Sequence, residues 1–145
     1  VSGSAIRALG LDLGSKRVGV AIGDRTGTIA SPLQVIQRSG SIRRDHEVIA
    51  KLVSEEEADI VVVGLPLNMN GSSGPAALAA IDEAAALATV VGVPVVTFDE
   101  RRTTVTADQA MIEANMRAQA RRRIVDKIAA AVMLQNWLDA GGPGR

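Results

Sequence analysis

Apolar positions along this chain change their period several times, and each change predicts an element boundary. Residues 5–12 run apolar and stop at Gly14-Ser15-Lys16, after which 18–22 is again small and β-branched. This is the pattern of a β-hairpin closed by a tight turn. A second turn signal lies at 24–27, and 29–36 predicts a third strand in which Pro32 favours an edge or a bend. From 41 to 57 the period lengthens, with Ile42, Val48, Ile49, Leu52 and Val53 at mostly helical spacing. Residues 60–63 form a continuous β-branched run of the kind buried on both faces of a sheet, ended by Gly64-Leu65-Pro66. A loop over 68–75 containing Gly71-Ser72-Ser73-Gly74 precedes an alanine-rich helix at about 76–91. Pro94 then restarts the chain as a strand at 95–98, which leads directly into Asp99-Glu100. Two more helices are expected, at about 104–115 with Thr104 and Thr106 as candidate caps, and at about 123–139, stopped by Gly141-Gly142-Pro143.

The order is three strands, helix, strand, helix, strand, helix, helix, an antiparallel meander continued by crossover units. It predicts an α/β fold: one mixed five-stranded sheet with helices on both faces. At 145 residues, the whole of 1–145 is expected to be a single domain with one site.

Composition narrows the chemistry. Hydrophobic residues make up 47% of the chain and aromatic ones only 1% (Phe98 and Trp137), so the core must be built from Val, Ile, Leu and Ala. Absence of cysteine excludes disulfides, thiolate zinc sites and cysteine nucleophiles, and the single His46 argues against a histidine-based metal or acid–base site. No apolar run reaches the roughly 20 residues that span a bilayer, and no signal segment opens the chain; a soluble, cytoplasmic protein is expected. Formal net charge is zero but unevenly spread. Acids crowd Glu55, Glu56, Glu57 and Asp59, whereas Arg101, Arg102, Arg117, Arg121, Arg122, Arg123 and Lys127 gather in the last third. One basic face on a neutral protein fits that distribution, as does a merely solvated helix side.

Three acids stand where acids are awkward unless used. Asp12 lies at a strand end between Leu11 and Leu13, Glu100 follows another strand, and Asp126 sits among Ile124, Val125, Ile128 and Ala129. Each has an ordinary explanation: an Asx turn for Asp12, a surface ion pair with Arg101 or Arg102 for Glu100, an exposed helix position for Asp126. A carboxylate flanked by apolar surface must nevertheless be paired, hydrogen-bonded or bound to a cation. Convergence on Mg²⁺ or Mn²⁺, which prefer hard oxygen ligands, would satisfy all three together. Such a site suits phosphodiester hydrolysis, for which no histidine or cysteine is needed.

The run Gly10-Leu11-Asp12-Leu13-Gly14-Ser15-Lys16-Arg17-Val18-Gly19-Val20-Ala21 resembles the opening motif of the YqgF/RuvX family. Residues 64–71, Gly-Leu-Pro-Leu-Asn-Met-Asn-Gly, and 99–104, Asp-Glu-Arg-Arg-Thr-Thr, resemble its second and third motifs in the same order, and Asp126 with Ile128-Ala129-Ala130 its fourth. The resemblance covers nearly the whole chain. It implies an RNase H-like fold and a divalent-metal hydrolase, a nuclease of the kind described as Holliday-junction resolvases and as enzymes maturing the 5′ end of pre-16S rRNA. Asp12, Glu100 and Asp126 would be its catalytic and metal-binding set. In the related RuvC resolvases the second acid lies on the strand after the first helix, yet here 60–64 carries none, so Glu100, with Asp99 as rival, would replace it. Lys127 stands where the family's pattern leads one to expect a small polar residue.

Lys16, Arg17, Arg101, Arg102, Arg121, Arg122 and Arg123 are the expected contacts to nucleic-acid phosphates, offsetting the repulsion between acids and a polyanion. With almost no aromatic side chain to stack on bases, recognition by backbone and shape is expected. The 71–74 loop lacks the Gly-Lys-Ser/Thr ending of a P-loop. Two other readings share parts of this pattern: an actin-like or sugar-kinase-like ATP-binding protein, which normally clamps ATP between two such domains, and a nonenzymatic RNA-binding ribosome-assembly factor. A homodimer would be required for symmetric cutting of a junction.

Overall fold

The computed structural model describes residues 6–66, 74–99 and 118–142, with the backbone alone described over 118–127. Its strands are β1 (Ala8–Leu13), β2 (Arg17–Gly23), β3 (Ala30–Gln37), β4 (Ile60–Leu65) and β5 (Val95–Asp99). The described helices are α1 (Ile42–Glu55), α2 (Pro75–Val91) and α3 (Ala118–Asp139). One sheet results, in the order β3-β2-β1-β4-β5. β1 pairs antiparallel with β2, and β2 with β3, whereas β1, β4 and β5 run parallel. Two-residue alternation then sorts the side chains. Leu9, Leu11, Val18, Val20, Ile22, Val61 and Val63 meet Ile49, Leu52, Ala84 and Leu87 of α1 and α2 on one face. Ala8, Ala21, Ile60 and Val62 meet Ala130, Met133, Leu134 and Trp137 of α3 on the other. The expected mixed five-stranded sheet with helices on both faces is therefore the observed one.

Local chemistry explains the element ends. Ser41 caps α1 by accepting a hydrogen bond from the Arg44 N–H, and α2 opens with Pro75 and stops at Gly92, whose φ of 73° suits only glycine without cost. Pro32 lies on the edge strand opposite Ala21, beside a register shift between Val20 and Ala21; an edge position tolerates its missing N–H.

Three boundaries differ from the pattern-based expectation. β3 begins at Ala30 rather than residue 29, because the Asp24 carboxylate accepts from the Thr28 and Ile29 N–H groups and keeps Ile29 in the turn. β4 continues through Gly64 to Leu65 because β5 is long enough to pair with both. α3 is already helical at Ala118, where the described residues resume, ahead of the expected 123; the Ala, Gln and Arg residues before the apolar stripe are all strong helix formers. The expected helix at 104–115, with Thr104 and Thr106, lies outside the described residues, as does most of the 68–75 loop. No helix among the described residues is long and apolar enough to cross a membrane.

Candidate active site

Asp12 is the penultimate residue of β1 and pairs with Gly19 of β2. Alternation puts it on the face of Ala8 and Gly10, the side covered by α3, where it is half-buried. Gly64 follows Val63, the parallel partner of Leu11, and so stands level with Asp12 on the other flank. Glycines thus border the carboxylate on both sides, and no side chain rises beside it from either neighbouring strand at that level. Arg17, two residues from Gly19, is its diagonal neighbour on the same face, a relation that spans about 7–8 Å between backbones. Lys16 is exposed in the turn between the strands.

α3 reaches this end of the sheet. A Cβ placed on Gly10 would lie 3.0 Å from the Leu134 Cβ, while Leu138 approaches Gly23, at the Ala8 end of the ladder. The helix therefore runs antiparallel to β1, and its earlier turns advance toward the Asp12 end. Asp126 occupies the register position one turn before Ala130, on the line continued by Met133 and Trp137, which pack on the sheet. Asp99 ends β5 opposite Leu65 and shares its parity with Val95, which packs on the α1–α2 core. That is the face away from Asp12. Glu100, Arg101 and Arg102 lie outside the described residues, as do the side chains of Arg121, Arg122, Arg123 and Asp126. Among the described residues, no group of three or more His, Cys, Asp or Glu is placed to hold a metal.

A second polar group, not foreseen from the sequence, lies behind the hairpin on the α1–α2 side. Arg38, just after β3, makes a two-pronged ion pair with Glu83 of α2 at 2.7 and 2.9 Å, and its Nε donates to the Gly14 carbonyl at 3.0 Å. His46 Nε2 shares the Glu83 carboxylate at 2.8 Å, and Asp45 accepts from both the N–H and the Oγ of Ser39. Asp45 and His46 are each 2% exposed, the two buried polar side chains among the described residues. Burial pushes the Asp45 and Glu83 carboxyls up. Ser39 with Arg38 at the first, and Arg38 with His46 at the second, outweigh that and leave both below the ordinary carboxylate range. The Glu83 hydrogen bonds, against burial, hold the Arg38 guanidinium above its usual value. A cavity of about 380 Å³ adjoins the group, lined in part by Leu13, Ser15, Ile42 and Ala79. The available signal was Asp45-His46, which stand at helical spacing before Ile49, Leu52 and Val53 on the inward stripe of α1, and the Asp82-Glu83 pair within a largely apolar helix.

Taken as architecture, the sheet order and helix placement define an RNase H-like protein. Over 94% of its length the chain matches Thermus thermophilus RuvC solved in complex with a Holliday junction substrate, with a TM-score of 0.59 at 15% identity and 97% of that chain covered. A second Thermus thermophilus RuvC structure matches with a TM-score of 0.55 at 15% identity, covering 94% of this chain and 98% of that one. Sequence then gives the family. The family described as "RuvX: Holliday junction resolvase" matches residues 6–140. The protein from Myxococcus xanthus named "Putative pre-16S rRNA nuclease" is 44% identical over 95% of this chain and 91% of its own length. Relatives of the same name from a Mycobacterium species (47%, covering 92% of this chain and 79% of the relative) and Thermoanaerobacter pseudethanolicus (41%, 93% and 97%) agree. The chain belongs to the RuvX family. That membership does not favour the kinase-like or nonenzymatic readings.

Proposed function

We propose that this RuvX-family protein is a divalent-metal-dependent nuclease that hydrolyses phosphodiester bonds in structured nucleic acid, with Asp12, Glu100 and Asp126 as its carboxylate set. The observation that carries the reading is the placement of Asp12: half-buried, at the carboxyl end of a central parallel strand, between two glycines and under the advancing turns of α3. A half-buried carboxylate at a strand end, flanked by glycine on both neighbouring strands, leaves room for a hard cation and a phosphate to approach it. Asp126 fits by its register on the α3 stripe and Glu100 by following β5, whereas Asp99 has the parity of the opposite face. Mg²⁺ or Mn²⁺ bound there would neutralise charge developing on the phosphate and activate the attacking water.

The protein's own part is to hold its acids in place, to flank Asp12 with glycine on both neighbouring strands, and to grip the backbone. Arg17 shares the Asp12 face, and Lys16 is exposed beside it; with Arg101, Arg102 and Arg121 to Arg123 they are the proposed phosphate contacts. The relatives' name favours pre-16S rRNA as substrate, and we place its cleavage at the 5′ end, in the cytoplasm, as a step of ribosome biogenesis; the family's description adds the four-way DNA junction. Symmetric junction cutting requires a homodimer. The test is incubation with Mn²⁺ or Mg²⁺ and either labelled precursor rRNA or junctions, beside Asp12→Asn. Metal-dependent cleavage lost in the variant supports the reading; cleavage equal in the variant overturns the site, and RNA binding without cleavage favours an assembly factor.

A further inference from the structure

We propose that Arg38 is a positioning residue for the Asp12 site, acting from the opposite face of the sheet by holding the turn that follows Asp12. The proposal rests on Asp12 being a metal-binding carboxylate. Residue 38 grips the turn on both sides: its Nε donates to the Gly14 carbonyl at 3.0 Å, and its backbone N–H donates to the Lys16 carbonyl at 2.9 Å. Between those anchors the turn is tight. The Gly14 N–H donates to the Arg17 carbonyl at 3.0 Å, and a Cβ on Gly14 would stand 2.6 Å from that oxygen, so the two backbones approach too closely to admit a side chain there.

The other end of the guanidinium is fixed. Both terminal nitrogens are committed to Glu83, Nη1 stands 3.7 Å from Asp45, and His46 fastens the same Glu83 oxygen from α1. The Arg38 side chain is 14% exposed and spans from the helices to the hairpin. A planar guanidinium can serve a carboxylate with two nitrogens and a carbonyl with the third; an ammonium cannot keep that geometry. Asp12 is two residues before Gly14 and one before Leu13↔Val18, the end of the β1–β2 ladder. A strand end without its turn frays, and a carboxylate displaced by about 1 Å can cost ~10²-fold in rate. Arg38 lies on the face away from the Asp12 carboxylate, so it acts through the backbone and touches neither substrate nor metal.

Arg38→Lys is the informative variant, because it keeps a cation for Glu83 while leaving the Gly14 carbonyl without its donor. Ile49→Val, in the same core but with a side chain that makes no hydrogen bond to Arg38 or the turn, serves as a control for stability loss alone. Backbone hydrogen exchange, read without metal or substrate, should rise about tenfold at residues 14–17 in Arg38→Lys and stay unchanged at 61–63. With Mn²⁺ and substrate, kcat should fall roughly 10–100-fold with little change in KM, while Ile49→Val keeps both. Turn exchange identical to the parent overturns the inference whatever the activity. So does unchanged kcat in Arg38→Lys when Asp12→Asn abolishes cleavage. A parent protein that cleaves nothing would sink the nuclease reading instead, and the exchange result would still decide whether Arg38 holds the turn.

Discussion

At the level of single residues, the site depends on what glycine leaves out. Gly10 lets α3 settle on β1, since a Cβ there would meet the Leu134 Cβ at 3.0 Å. Gly10→Ala should force the helix outward and cost about 1–3 kcal/mol, measured by urea unfolding. In Gly10→Ala combined with Leu134→Gly the joint loss should be smaller than the sum of the two separate losses, because glycine removes the Cβ that the new methyl would meet. Additive losses would mean that the contact is not where the strain arises. Asp12→Asn differs in kind. Its side chain keeps its size on a half-buried strand end, so the fold should survive while metal-dependent cleavage falls by at least ~10²-fold. A thermal melt near the parent's, beside lost turnover, is the expected pair of results.

Between elements, the Arg38, Asp45, His46 and Glu83 group ties the end of β3 and both helices of one face to the hairpin. Asp45 and Glu83 are both held below the ordinary carboxylate range in the folded protein, so they favour folding when ionised. Their contribution is present above the unfolded carboxylate values of about 3.9–4.3 and is lost as pH falls through the lower folded values. Glu83→Gln should therefore be less stable than the parent at neutral pH and lose less further stability on acidification, which melts at stepped pH would show. Parallel pH curves would place the acid sensitivity elsewhere. The polar residues inside α1 and α2 were visible in the sequence, but their pairing was not, because members of the group are separated by up to 45 positions and meet only when α1 packs on α2. The sheet was legible: residues 60–63 are uninterrupted β-branched residues, and the hairpin carries its own turn signal. Boundaries failed where polar helix formers extended α3 backward, and the parity of Asp99 could not be known before β5 had a register.

Across the whole molecule, the charge is arranged in poles that a net charge of zero conceals. The acidic run from Glu55 to Asp59 lies at the end of α1 and just before β4, whereas the candidate site lies beyond the carboxyl end of that strand. Six residues of strand separate the poles, about 17 Å at strand rise, which exceeds the roughly 8 Å screening length at physiological salt. The Arg7 side chain pairs with Glu56 while its backbone N–H donates to Asp59, and Arg25 pairs with Glu57, so two charges of the acidic pole are already balanced within the protein. A polyanion approaching Asp12 should therefore feel the arginines of α3 and little of the acids. If Arg121, Arg122 and Arg123 each contact a phosphate, replacing all three with Gln should weaken nucleic-acid binding and flatten its dependence on log salt concentration by about 2–3 units of slope. Glu55→Lys, an exposed change at the far pole that also suits a helix C-terminus, should leave both affinity and slope near the parent's at 0.15 M salt. Binding titrations between about 0.05 and 0.3 M salt separate the cases, since contact and distant charge respond differently to screening. A Glu55→Lys effect as large as that of the triple arginine change would show that the nucleic acid runs along the acidic pole, and would require the substrate path to be redrawn away from the carboxyl ends of the strands.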